Sequence, residues 1–158
     1  MLLSQTGQYA LRAALLLGEL GPDERATADE IASALDVPRN YLSKILHVLA
    51  REGVLESTRG PGGGFALALP AADLALSRIL RPVEPGLEGG SGCLLGRAEC
   101  SNRDPCAVHH EWTRLASRID GFLNETTLGS LTQQKRAPRK QASRVRRLPT
   151  RKRKGGTR

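Results

Sequence analysis

The stretch CLLGRAECSNRDPCAVHH, residues 93–110, holds all three cysteines of the 158-residue chain and two of its three histidines. Cys93, Cys100 and Cys106 follow the spacing C-x6-C-x5-C, and His109 stands two residues further on. An odd number of cysteines argues against a closed disulfide framework. In a reducing compartment, clustered thiols point instead to metal ligation or redox chemistry. Thiolates are soft donors that select zinc, copper(I) or iron–sulfur clusters. Structural zinc prefers knuckles with about two to four residues between cysteines, because the tight turn presets two tetrahedral positions. Neither gap here is that short. Iron–sulfur clusters tolerate wider spacing, and a histidine can replace one thiolate. The residues alone leave an iron–sulfur centre, zinc and thiol-only redox sensing all open. His110 follows about 100° further round a helix and is expected to face solvent.

Apolar patterns flank the cysteines on both sides. Downstream, HHEWTRLASRIDGFLNETTLGSL places Trp112, Leu115, Ile119, Phe122 and Leu123 on one helical stripe. An amphipathic helix over 110–132, with little chain left to cover it, predicts pairing with the same helix of a second copy, a homodimer. The alternative is that it folds back on its own domain. Upstream, AADLALSRILRPVE predicts one more helix ending near Arg81-Pro82, followed by the loop PGLEGGSG; residues 71–92 thus form a helix and linker leading into a ligand loop at 93–109.

The N-terminal part reads as a reading head. SQTGQYALRAALLLGELG carries helical spacing through Tyr9, Leu11, Leu15, Leu16 and Leu20 and stops at Gly21-Pro22. Thr27 and Glu30 match a capping box, in which each side chain satisfies the other's backbone amide. A short helix from about Ala28 to Leu35 is broken by Asp36-Val37-Pro38. A second helix from about Arg39 to Arg51 puts Leu42, Ile45, Leu46 and Leu49 on one face, and Gly53 is placed to end it. The run VLESTRGPGGGFALAL then predicts a β-hairpin with a glycine-rich tip. The fold class is therefore mainly α with a small β wing: a winged helix-turn-helix at 1–70, plus a long C-terminal dimerisation helix. That architecture is usually a reader of double-stranded DNA. The second helix of the motif enters the major groove with its N-terminal residues at base edges. Arg39, Asn40, Ser43 and Lys44 occupy those positions, and Arg59 and Gly60 stand on the wing, where the arginine fits a narrow minor groove. The glycines are not a phosphate-binding loop, since no Lys-Ser/Thr follows them.

The net charge of +8 belongs to the tail. Residues 1–132 hold 12 Lys/Arg and 16 Asp/Glu, whereas residues 133–158 hold 12 Lys/Arg and no acid. The tail lacks helical or strand periodicity and reads as basic and disordered, able to add sequence-independent attraction to a polyanion, RNA included. The N-terminus has no secretory pattern and no run approaches a membrane span, so a cytoplasmic protein is expected. No catalytic constellation is present: Ser43 and Ser57 lack a recognisable His and Asp partner set, and His47 lies on a helix among apolar residues. The chain is not expected to be an enzyme.

The opening GQYALRA, the wing RGPGGG, the cysteine triad followed by histidine, and the closing GFLNETTLGSL together resemble the IscR-like family of iron–sulfur cluster regulators, which includes nitric-oxide-sensing NsrR-type members. The resemblance runs from about Leu3 to Gln133. It implies a DNA-binding homodimer with a cluster in the loop before the dimerisation helix, and Cys93, Cys100, Cys106 and His109 as metal ligands. Two departures qualify it. The first gap has six residues where the IscR pattern has five. Gln8 stands where NsrR-like members can place an acidic ligand, which favours 2Fe-2S ligation through His109 over a 4Fe-4S centre. The implied function is a transcription regulator sensing cluster status. The alternatives are a 4Fe-4S nitric-oxide-sensing repressor, a zinc-stabilised DNA-binding module without sensing, and, less in keeping with the residues, an electron-transfer protein.

Overall fold

Backbone capping sets the ends of the first helices. The computed structural model describes residues 3–21, 24–85, 93–98 and 101–136, with side chains through Thr132. Helix α1 spans Gln5–Glu19 and is capped by the Ser4 side chain, which accepts from the Gly7 amide. Helix α2, Ala28–Leu35, has the capping box that the sequence predicts: the Thr27 hydroxyl accepts from the Glu30 amide, and the Glu30 carboxylate accepts from the Thr27 amide at 2.7 Å. The Thr27 amide and the Thr27 hydroxyl, which also donates to the Glu30 carboxylate at 2.8 Å, hold the Glu30 carboxyl below its ordinary range. Asp36 takes a left-handed conformation, φ 53°, so that the Val37 amide reaches back to Ala32 O and closes the helix end. Helix α3 then runs Arg39–Arg51, and all four residues of its predicted apolar face are buried.

The wing follows directly. Strands β1, Leu55–Thr58, and β2, Gly64–Leu67, pair antiparallel from Leu55↔Leu67 to Thr58↔Gly64. A further bridge, Ala26↔Phe65, ties the linker between α1 and α2 to the hairpin. Gly64 is required there: a Cβ on it would lie 2.7 Å from Ala26 O.

The core is aliphatic, with Ile31, Leu42, Leu46, Leu49, Leu74, Ile79, Leu80 and Leu128 almost wholly buried. Helix α1 lies at its centre, against α2, α3, β2, α4 and α6. The buried face of α1 is Gly7, Ala10, Ala13, Ala14 and Leu17 rather than the predicted stripe. Tyr9, Leu11, Leu15, Leu16 and Leu20 are half-buried instead. A helix surrounded on several sides needs small residues where backbones approach, so its bulky residues mark its flanks.

Two predicted helices are interrupted, at one shared place. The helix expected from residue 71 to near Arg81-Pro82 is a 3-10 turn, Ala71–Asp73, followed by the short α4, Leu76–Leu80. The helix expected to run to residue 132 divides into α5, His109–Glu125, and α6, Leu128–Arg136. Between the pieces, residues 74–76 pair with 126–128: Leu76 N donates to Thr126 O at 3.0 Å and Leu128 N to Leu74 O at 2.8 Å. The backbone leaves both helices there to form this bridge, helped by the β-branched pair Thr126-Thr127. Helix α6 then folds back on α1, with Leu128 and Thr132 buried. The predicted dimerisation region is thus split, and its last third belongs to the core of its own subunit.

Candidate cysteine centre and DNA-reading face

Cys93 opens a tight turn closed by Gly96 N donating to Cys93 O at 2.8 Å, with Gly96 at φ 73°. That conformation favours glycine, and it turns the chain back within a single step. Arg97, next in line, reaches across the loop: its guanidinium donates to Asp104 O at 3.3 Å and forms an ion pair with the Asp104 carboxylate. The hydrogen bond and negative charge of Asp104 hold the Arg97 guanidinium above its ordinary pKa. Ser101 organises the other arm, its hydroxyl accepting from the amides of Arg103 and Asp104.

These tethers bring two of the predicted ligands together. The Cys93 and Cys106 sulfurs, both half-buried, lie 3.7 Å apart. Cys100 lies outside the described residues. His109, the first residue of α5, is almost wholly buried, and its amide donates to Cys106 O at 3.0 Å. Its Nε2 donates to Asn102 Oδ1 at 2.8 Å, which places the ring lone pair on Nδ1. Among the described residues, no three potential ligand side chains gather closely enough to hold a metal ion. His110 is exposed, as expected, with its ring edge-on to that of His109. Sequence reading missed Asn102, Arg97 and Asp104. Their positions between the cysteines were the available signal, because a loop with so few apolar residues needs polar tethers to hold a shape.

The predicted DNA-contacting residues lie on α3 and on the wing. Arg39, Asn40 and Lys44 are exposed on α3, Ser43 is half-buried, and Arg59 and Gly60 are exposed on the wing. Arg39 forms an ion pair with Asp29 of α2, so the guanidinium is tied to the helix before it. His47 of α3 is also exposed, its ring 5.6 Å from that of Phe65 on the wing. Tyr41, in the first turn of α3, contacts α1 through Thr6, with the two hydroxyl oxygens 2.5 Å apart, and through an edge-on ring contact with Tyr9.

A helix-turn-helix followed by a two-stranded wing, carrying exposed polar residues at the start of its second helix, defines a winged-helix DNA-binding regulator. The sequence matches the Rrf2 family, described as "Iron-dependent Transcriptional regulator", over residues 3–134, and the chain belongs to that family. It is accordingly a transcriptional regulator and not an enzyme. It is similar to the "HTH-type transcriptional regulator IscR" of Vibrio atlanticus strain LGP32, 33% identical over 131 residues, covering 83% of this chain and 75% of the relative. The fold is that of CymR, described as the global cysteine regulator of B. subtilis, with a TM-score of 0.71 at 23% identity over 84% of this chain and 96% of that one. It is shared also with T. potens IscR, with a TM-score of 0.68 at 22% identity over 84% and 87%. Among the described residues, no helix is long and apolar enough to cross a membrane.

Proposed function

We propose that this protein is a cytoplasmic, homodimeric DNA-binding regulator that senses iron–sulfur cluster status. Cys93, Cys100, Cys106 and His109 would hold the cluster, with 2Fe-2S as the reading and 4Fe-4S as its alternative. The observation that carries the reading is the convergence of the Cys93 and Cys106 thiols to 3.7 Å at the foot of α5. The donor chemistry fits: soft sulfur donors, then a buried imidazole whose tautomer is fixed by Asn102. The lack of any knuckle spacing counts against zinc. When bound, the cluster supplies a tie between the arms of this loop that iron supply or oxidation can remove. The loop feeds directly into α5, so ordering it biases an element that positions the subunit pair.

On the DNA side, α3 enters the major groove and presents Arg39, Asn40, Ser43 and Lys44, while Arg59 and Gly60 bring the wing to the neighbouring minor groove. The basic segment 133–158 adds salt-sensitive attraction to the phosphate backbone.

The test is anaerobic purification with iron, sulfide and zinc analysis and an absorption spectrum. A coloured protein carrying about two iron and two sulfide per chain is expected, against about four of each for the alternative cluster. Cys93→Ala, Cys100→Ala and Cys106→Ala should each remove the colour and change operator affinity. Colourless wild-type protein containing zinc, or no metal after reconstitution, would overturn the reading.

A further inference from the structure

Among the described residues, the segment that follows α4 is fastened to the start of α1 by Glu84. Glu84 stands nine positions before Cys93. Its backbone amide donates to Leu80 O at 2.8 Å, which fixes it to the end of α4. Its Oε1 accepts from Ser4 N at 2.7 Å and from Ser4 Oγ at 2.6 Å. Ser4 is the N-cap of α1, and α1 has no acidic residue in its own first turn. The Glu84 carboxylate therefore supplies the negative charge that a helix N-terminus favours. The contact also depends on Gly7: a Cβ there would lie 2.1 Å from Glu84 Oε1. Gly7 has an ordinary helical backbone, so this close approach accounts for a glycine within the first turn of a helix.

The same end of α1 carries the contact to the DNA-reading helix. Thr6 meets Tyr41 of α3, beside Asn40, Ser43 and Lys44. Pro82 and Val83 line a groove together with Thr6, Tyr41 and Lys44, so the segment leans on both helices. From Glu84 to the first turn of α3 the contacts are Ser4, the first turn of α1, and Tyr41.

We infer that Glu84 is a positioning residue that transmits the state of the cysteine loop to α3 through its clasp on Ser4. This rests on the sensing reading above. When the loop is tied, the 82–85 segment is held and the clasp fixes the start of α1 and, through Tyr41, the start of α3. When the loop is released, the clasp loosens and the reading residues lose their shared orientation.

The probe is a DNA duplex selected by cluster-loaded wild-type protein from a random-sequence library. Its dissociation constant is measured with cluster-loaded and cluster-free forms of the wild type, Glu84→Gln and Gly7→Ala. The wild type should discriminate between the two forms within the range usual for coupled sites, about 5- to 150-fold. Both variants should bring that ratio at least about fivefold closer to one while still taking up iron. A purely structural role would lower the melting temperature and leave the ratio unchanged, so variants that keep the wild-type ratio within about twofold overturn the inference alone. A wild type that binds equally in both forms overturns the sensing reading and this inference with it. Hydrogen exchange on the wild type gives a check that needs no variant. The Gly7 amide, bonded to Ser4 Oγ, should exchange more slowly when the cluster is loaded, and equal exchange overturns the inference.

Discussion

The thiols of Cys93 and Cys106, thirteen residues apart in the chain, lie 3.7 Å from each other. The Arg97–Asp104 ion pair spans the same two arms of the loop, four residues after one cysteine and two before the other. It ties the two cysteine-bearing arms to each other. Arg97→Gln should therefore slow formation of the Cys93–Cys106 disulfide when metal-free protein is treated with diamide. A reduction of about two- to fivefold is expected, the scale of an exposed ion pair. Cleavage after Arg103 separates Cys106 from the other cysteines, and fragmentation of the linked tryptic peptides by tandem mass spectrometry assigns its partner as Cys93 or Cys100. An unchanged rate would mean that the turn at Gly96 alone sets the approach.

Asn102 should matter to the cluster more than to the fold. Its side chain accepts from His109 Nε2, and such partners fix the tautomer and direction of a ligating imidazole. Asn102→Ala should shorten the lifetime of the bound cluster against a chelator by about 10- to 100-fold. Its thermal midpoint in the metal-free state should stay close to wild type, because the residue is exposed. A cluster lifetime equal to wild type would remove His109 as a ligand held in this way.

The capping box makes part of the stability depend on pH. The Glu30 carboxyl is held below its ordinary range, first by the Thr27 amide and then by the Thr27 hydroxyl. The folded state therefore favours the ionised form more than the unfolded chain does. That contribution is complete above the ordinary carboxylate range and is lost as pH falls through the lowered value. Glu30→Gln should reduce the melting temperature at neutral pH, and the gap to wild type should narrow on acidification. A gap independent of pH would show that the carboxylate charge is not what stabilises the cap.

Much of the reading head was legible because its signals are local. Thr27 and Glu30 announce a helix start, and Leu42, Ile45, Leu46 and Leu49 name a buried face without reference to the rest of the chain. The bridge between Ala75 and Thr127 was not legible, since neither strand-like stretch is long enough to show a period and each pairs with a partner about fifty residues away. For the same reason both helices looked continuous in sequence. The alanine seam of α1 was hidden too, because apolar spacing weights leucines over the small residues that close packing requires. In the cysteine loop, residue type and spacing singled out Cys93 and Cys106, whose thiols the fold brings together, while the polar tethers Arg97, Asn102 and Asp104 emerge only from the folded geometry.

Helix α5 turns Ala116 and Leu123 inward, with α4 as its main neighbour, and leaves a second stripe outside. Leu115 and Phe122 on that stripe are 50% and 56% exposed, one heptad apart, with the half-buried Trp112 and Ile119 beside them. Large apolar side chains aligned in this way mark an association surface. An isologous pairing would bring the same stripe of two copies together and set the separation of the two reading heads. The double variant Leu115→Glu, Phe122→Glu should be monomeric by light scattering, with its helical circular dichroism kept. Engaging one half-site instead of two, it should bind a two-half-site duplex at least about 100-fold more weakly. A variant that remains dimeric would move the interface off α5, and one that becomes monomeric yet binds unchanged would sever dimerisation from DNA recognition.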